Sequence, residues 1–191
     1  MSKNRLEAFS DGVIAILITI MVLELKVPHG ADLAALRPVL PIFLTYVLSF
    51  IYLAIYWNNH HHMLAATHRI NGKVLWANLH LLFWLSLVPF ATSWLGENHS
   101  AALPAATYGV VMLCSAVAYT TLQTTLIGAH PENAKIAAAV GDDAKGKLSI
   151  ACYVAAIALA FVQQWLADAL YVVVALIWLV PDKRIEAKLN Q

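Results

Sequence analysis

The sequence predicts an all-α integral membrane protein with six transmembrane helices, which form a single domain over residues 1–191. Three observations predict this fold class. Hydrophobic residues make up 61% of the chain and charged residues only 12%, which is about half the charged fraction of soluble domains. The mean hydropathy is +0.70. Six apolar runs follow one another along the chain, and the cations between them fall mostly on one side.

The six apolar runs are the predicted spans. Their approximate limits are 9–26, 39–57, 75–95, 104–127, 148–164 and 166–181. Prolines stand near several limits, as expected where helices start or stop, at Pro28, Pro38 and Pro104. Only the segment "QQWLAD" separates the last two spans, so we interpret them as a helical hairpin. The small polar segment 128–147 is predicted to be a cytoplasmic loop.

The distribution of lysine and arginine predicts the orientation in the membrane. If the N-terminus lies in the cytoplasm, ten of the twelve cations are cytoplasmic: Lys3, Arg5, Arg69, Lys73, Lys135, Lys145, Lys147, Lys183, Arg184 and Lys188. Lys26 and Arg37 lie outside. Cytoplasmic loops carry such an excess of cations, so both termini are expected in the cytoplasm.

The composition and the motifs argue against several other classes of protein. A net charge of +1 gives no basic surface for nucleic acid. Cys114 and Cys152 lie far apart inside apolar runs, so no disulfide framework and no thiolate metal site are expected. The adjacent histidines at 60–62 lack zinc-site spacing and fit a polar cap at the membrane boundary better than a metal site. We expect no cofactor, and no catalytic motif such as a nucleophile elbow is present.

Polar residues of three spans share one depth near the cytoplasmic end. Ser10 and Asp11 begin the apolar part of span one, and an ionisable group in a bilayer usually has a partner or a function. Span two ends, and span three starts, with polar and aromatic residues at the same depth: Trp57, Asn59, His60, His61, Asn78 and His80. The sequence therefore predicts a hydrogen-bonded cluster that joins three helices.

An apolar stripe runs along the first helix. At 100° per residue, Ile16, Ile20 and Leu23 share one face, and Thr19 lies on its shoulder. Ser10 and Asp11 lie well away from that face. If they pack on spans two and three, the stripe contacts lipid, another helix or an oligomeric axis. The pattern alone favours the first two.

The motifs on the first three spans resemble those of the prokaryotic transmembrane protein 175 family, which is related to the endosomal and lysosomal potassium channel. The hallmark is Arg-x-x-x-Phe-Ser-Asp, formed here by Arg5, Phe9, Ser10 and Asp11. The segments "YWNNHHHML" on span two and "LWANLHLLFWLSLVPFATSWLGE" on span three are also similar. Spans four to six match only by hydropathy.

The resemblance implies a homotetramer in the lipid bilayer, in which the first helix of each subunit lines a fourfold pore for monovalent cations. By position, Ile16 is the main apolar constriction, Ile20 and Leu23 are further rings, and Thr19 is a polar pore-lining residue. Arg5, Phe9, Ser10 and Asp11 form a clamp facing the bundle, with partners Trp57, Asn59, His60, His61 and Asn78. Glu24 is expected at the extracellular mouth of the pore, where its negative charge would attract cations and the nearby Lys26 would weaken that attraction.

The expected function is a potassium-permeable leak channel in the plasma membrane of a prokaryote. An isoleucine and leucine constriction replaces the carbonyl filter, because no T-V-G-Y-G sequence occurs. The alternative is a proton-permeable channel or proton-coupled transporter that uses Asp11 and the histidines as relay groups. A membrane enzyme or assembly factor with a buried polar site is a third interpretation.

Overall fold

The computed structural model describes residues 2–67, 69–130 and 143–179. These ranges are helical, without a β-strand among them. The α-helices are α1 (Lys3–Leu23), α2 (Leu40–Ala65), α3 (Gly72–Ser86), α4 (Val88–Glu97), α5 (Ala102–Ala129), α6 (Ala144–Ala160) and α7 (Gln164–Leu179). A short 3₁₀-helix, Leu33–Leu36, lies between α1 and α2. The predicted all-α membrane fold is confirmed.

The helices follow the six predicted spans in order, with α3 and α4 together forming the third. Four of these spans are long and apolar enough to cross a membrane: Lys3–Leu23, Leu40–Ala65, Gly72–Glu97 and Ala102–Ala129. The predicted hairpin of the last two spans is confirmed as α6 and α7, which pack against each other. The predicted loop 128–147 is shorter than expected, because its first two residues belong to α5 and its last four to α6. The rest of that segment except His130 and Asp143, the end of the last span, and the cations Lys135, Lys183, Arg184 and Lys188 lie outside the described residues.

Helices α1 and α2 extend beyond the predicted spans, because hydropathy marks the apolar core of a helix and not its ends. Helix α1 begins at Lys3, six residues before the predicted span. Helix α2 continues to Ala65 instead of stopping near residue 57, so its polar segment "WNNHHHML" is helical. The additional turns at the end of α2 carry His60 and His61 of the predicted cluster.

The third span breaks in its middle. Pro89 has no N–H to donate to the carbonyl of Leu85, and its ring disfavours a straight helix. The chain leaves the helix at Leu87, between α3 and α4. Neighbouring helices can satisfy the backbone groups freed at such breaks.

Helix α5 packs against α3, α4, α6 and α7, whereas the main packing partners of α1 among the described helices are α2, α3 and α4. Buried hydroxyls connect the helices: Thr92 donates to Ser49 at 2.7 Å, and Ser49 lies 3.0 Å from the Tyr108 hydroxyl. A close approach of α5 and α7 depends on Gly109, because a Cβ there would collide with the Tyr171 hydroxyl.

The turn between α6 and α7 and the start of α7 expose three large apolar side chains. Phe161, Val162 and Trp165 expose 63%, 76% and 60% of their surface. The apolar part of α6 and this turn runs only from residue 148 to residue 162. At 1.5 Å per residue this stretch is about 22 Å long.

Candidate pore-lining face and its orienting cluster

Helix α1 has one buried face and one exposed face. The buried face consists of Leu6, Ser10, Ile14, Leu17 and Met21, which recur every three or four residues and pack against α2, α3 and α4. The predicted stripe lies opposite, with Ile16, Ile20 and Leu23 exposing 57%, 41% and 79% of their surface. A single chain therefore leaves the stripe without a covering helix.

Thr19 lies on the exposed face beside the stripe. Its hydroxyl donates within α1, with the carbonyl oxygens of Ala15 and Ile16 at 3.1 and 2.9 Å. The hydroxyl oxygen still has lone pairs that can accept from, or coordinate, a group outside the helix.

Three fully buried side chains join α1, α2 and α3. Asn78 Nδ2 donates to Ser10 Oγ at 2.9 Å, and Asn78 Oδ1 lies 2.7 Å from His60 Nε2. Since the Asn78 oxygen can only accept, His60 Nε2 carries the proton in this arrangement. Ser10 Oγ also donates to the Leu6 carbonyl at 2.9 Å. The chain of hydrogen bonds fixes the rotation of α1 about its own axis.

A second, more exposed layer connects α1 to α2. Trp57 Nε1 donates to Asp11 Oδ1 at 3.0 Å, and the Trp57 ring stacks on His61 with centroids 6.1 Å apart. His61 Nδ1 lies 3.1 Å from Glu7 Oε1. Sequence analysis missed Glu7, although its position four residues before Asp11 places both carboxylates on one side of α1.

The remaining predicted partners lie elsewhere. Asn59 donates to the Ile55 carbonyl of its own helix at 2.9 Å. His80 accepts from Trp84 Nε1 at 3.0 Å, also within one helix. Neither residue bonds to α1 in the described structure.

The expectation that all four hallmark residues face the bundle needs a correction. Ser10 and Asp11 contact α2 and α3, but Arg5 and Phe9 are exposed, Phe9 by 50%. The spacing explains the difference, because Arg5 and Phe9 precede Ile16 by eleven and seven residues, which is three and two helical turns. They extend the exposed face of the stripe toward the start of α1.

Both ends of α1 are tied to neighbouring helices. At its start, Lys3 Nζ donates to the Ala65 carbonyl at 3.0 Å. Beyond its other end, Glu24 accepts from Ser93 at 3.1 Å and Lys26 pairs with Glu97 at 2.5 Å. This hydrogen bond and the charge of Glu97 raise the pKa of Lys26. The Lys26 charge, which was expected to weaken the field of Glu24, is therefore balanced by Glu97.

Comparisons with known proteins agree with this architecture. Residues 5–89 match the family model described as endosomal/lysosomal potassium channel TMEM175. The chain is 56% identical over 191 residues, the full length of both proteins, to a potassium channel of Chryseobacterium sp. (strain P1-3).

One solved structure and one animal protein extend the comparison. The chain is similar to the crystal structure of a lysosomal potassium-selective channel TMEM175 homologue from Chamaesiphon minutus, with a sequence identity of 28%. The two structures superpose with a TM-score of 0.77 over 94% of this chain and 97% of that one. An endosomal/lysosomal proton channel TMEM175 of Gallus gallus is 40% identical over 73 residues, 32% of this chain and 15% of that protein.

The sequence identity extends over the whole chain, and the fold of a solved channel covers nearly all of it. The helix with the exposed stripe and the orienting cluster falls inside the matched family segment. The chain therefore belongs to the TMEM175 family of channels, and it is not an enzyme.

Proposed function

We propose that this chain is a potassium-permeable channel, formed by four copies in the plasma membrane of a prokaryote with both termini in the cytoplasm. In this proposal α1 lines the fourfold axis. Ile16, Ile20 and Leu23 form stacked apolar rings, and Thr19 adds a polar ring beside them. The names of the bacterial relatives support potassium as the ion.

The observation that carries the proposal is the two-faced packing of α1. One face is held inside the subunit by the buried bonds among Ser10, Asn78 and His60. The opposite face presents Ile16 and Leu23 to the outside. One such face cannot enclose a pore, whereas four faces around an axis can.

An apolar constriction can act without a carbonyl filter. Ile16 and Ile20 are β-branched and stiff at χ1, so their rings would form a narrow neck of fixed width. A hydrophobic neck controls conduction through wetting. Potassium sheds its water more readily than sodium, so such a neck favours potassium modestly.

Flux through liposomes containing the purified chain tests the proposal. Ile16→Asn adds hydrogen-bonding groups that hold water in the neck, so total cation flux should rise at least about twofold and the potassium preference over sodium should fall. Leu176→Asn is the matched control, because Leu176 exposes 56% of its surface on α7, close to the 57% of Ile16 on α1. Ile14 would be a poor control, since it is 1% exposed and its replacement would damage the core.

Equal effects of Ile16→Asn and Leu176→Asn, or no effect at Ile16, would contradict the assignment of α1 to the pore.

Proton permeation is the second candidate, supported by the layer of Glu7, His61, Trp57 and Asp11 and by the name of the Gallus gallus relative. A pH-sensitive dye inside the same liposomes separates the two functions. If protons are conducted through this layer, His61→Gln lowers the proton flux and leaves the potassium flux unchanged. Absence of proton flux in the unaltered protein would eliminate this candidate.

A further inference from the structure

A cavity lies inside the subunit between α2, α5, α6 and α7. Its volume is about 40 Å³, room for about three water molecules. Aromatic rings form much of its wall: Tyr52, Tyr56, Tyr119, Tyr153 and Trp178. None of the described lining residues belongs to α1, so the cavity is separate from the proposed pore.

One lining residue carries a negative charge. Asp143 stands at the start of α6, where its Oδ1 accepts from the Gly146 N–H at 3.1 Å. Asp143 is among the residues that line the cavity, together with Tyr119 and Trp178. Asn59 and Thr120 also belong to the lining, and each donates to a backbone carbonyl of its own helix.

The chain itself places a cation against this wall. Lys145 Nζ lies 5.9 Å from the centre of the Trp178 ring, within the range of a cation–π interaction. The electron-rich faces of tryptophan and tyrosine attract cations, and cages of such rings recognise methylated ammonium groups. A neutral molecule would contact the same rings but gain nothing from Asp143.

We propose that this cavity binds a small methylated ammonium ion, held by the aromatic rings and by the charge of Asp143. The size of the cavity suits a group of about five heavy atoms, close to three waters in volume. Lys145 competes with the ligand, because it carries the same charge and already lies on the Trp178 ring. The partial positive charge at the N-terminus of α6 also repels a cationic ligand, and the negative charge of the Asp143 carboxylate offsets this repulsion.

Titration calorimetry on the purified full chain tests the proposal with two ligands of similar shape. Tetramethylammonium and tert-butanol each contain five heavy atoms in a tetrahedral arrangement, and only the first is charged. Tetramethylammonium should bind more tightly than tert-butanol.

Two substitutions should change the affinity for tetramethylammonium in opposite directions. Asp143→Asn keeps an N-capping side chain and removes the charge, so binding should weaken about two- to fivefold. Lys145→Ala should strengthen binding about two- to fivefold by removing the competing cation. The control is Lys147→Ala, which makes the same charge change at an exposed residue outside the described lining and should alter binding less than Lys145→Ala.

Several results would overturn the proposal. These are absence of tetramethylammonium binding, equal affinity for tert-butanol, and equal effects of Lys145→Ala and Lys147→Ala. Binding that is insensitive to Lys145→Ala but lost in Ile16→Asn would place the ligand in the pore and also overturn it. Since Lys145→Ala tests the same site from the opposite direction, a failure of Asp143→Asn to fold leaves the test intact.

Discussion

Asn78 satisfies two buried side chains at once, because its amide donates to Ser10 and accepts from His60. His60 Nδ1 has no hydrogen-bond partner among the described residues, so the bond to Asn78 is the main polar contact of that ring. Loss of the Asn78 amide would leave the His60 N–H buried without a partner. An orphaned group of this kind costs about 1–3 kcal/mol in mutational series.

Asn78→Ala should therefore lower the free energy of unfolding by roughly 1 kcal/mol, near the lower end of that range, because polar groups also find partners in a membrane-inserted unfolded state. Thermal unfolding in detergent, followed by tryptophan fluorescence, measures the change. Asn59→Ala is the matched control, since within the described part of the chain the Asn59 amide bonds to the Ile55 carbonyl of its own helix and to no other helix. Equal destabilisation by the two substitutions would show that the bonds among Ser10, Asn78 and His60 add nothing to the free energy of unfolding beyond an ordinary bond within one helix.

At the scale of the helix, the packing of α5 depends on how closely α6 and α7 approach it. A Cβ on Gly109 would collide with the Tyr171 hydroxyl and with Ile157, whereas a Cβ on Gly128 of the same helix would meet nothing within 4 Å. The Tyr171 hydroxyl itself donates to the Ala105 carbonyl at 2.9 Å. The tyrosine is therefore held in place and cannot move away cheaply.

We expect Gly109→Ala to destabilise the protein by about 1–3 kcal/mol, the usual cost of overpacking a core. Gly128→Ala should be neutral or stabilising by up to about 1 kcal/mol, because alanine is the better helix former. The same thermal unfolding assay compares the two variants. A neutral Gly109→Ala would mean that α5 and α7 are packed less closely than the structure describes.

The sequence predicted some elements well and others not at all. Each of the six apolar runs coincides with helices of the structure, and the shared depth of Ser10, His60 and Asn78 in the sequence indicates the buried cluster. The sequence motif does not predict the direction of Phe9, because neighbouring residues of one motif point to different sides of a helix: Phe9 is 50% exposed and Ser10 is buried. The aromatic cavity gave no sequence signal, since its tyrosines come from three helices whose mutual packing is not encoded in any short motif.

At the scale of the whole molecule, a single subunit leaves one face of α1 exposed. The exposed side of α1 carries Phe9, Ile16 and Leu23 together with Thr19 and Arg5. The opposite face of α1 packs against α2, α3 and α4. A contiguous exposed apolar face of this kind is typical of an interface between subunits. A closed ring of four such faces is the assembly proposed above.

Native mass measurement of the purified protein should give four chains, and chemical crosslinking in the membrane should give species up to the tetramer. The number of chains is also compared between the Ile16→Asn and Leu176→Asn variants, because Ile16 lies on the proposed axis and Leu176 does not. A monomer that conducts ions as well as the assembled protein would contradict the fourfold pore.

The short α6 and its exposed turn have a consequence for the surrounding lipid. About 22 Å of apolar length falls short of the ~30 Å hydrocarbon core. If α6 starts at the cytoplasmic boundary of that core, the exposed side chains of Phe161, Val162 and Trp165 would lie at a depth that acyl chains normally occupy. A bilayer accommodates such hydrophobic mismatch by thinning around the short element, at a cost of fractions of a kcal/mol per Å. Each subunit would then carry a thinned annulus at this hairpin. Lipids with shorter acyl chains should relax that annulus, so membrane thickness would act on the subunit through the hairpin of α6 and α7 and not through α1.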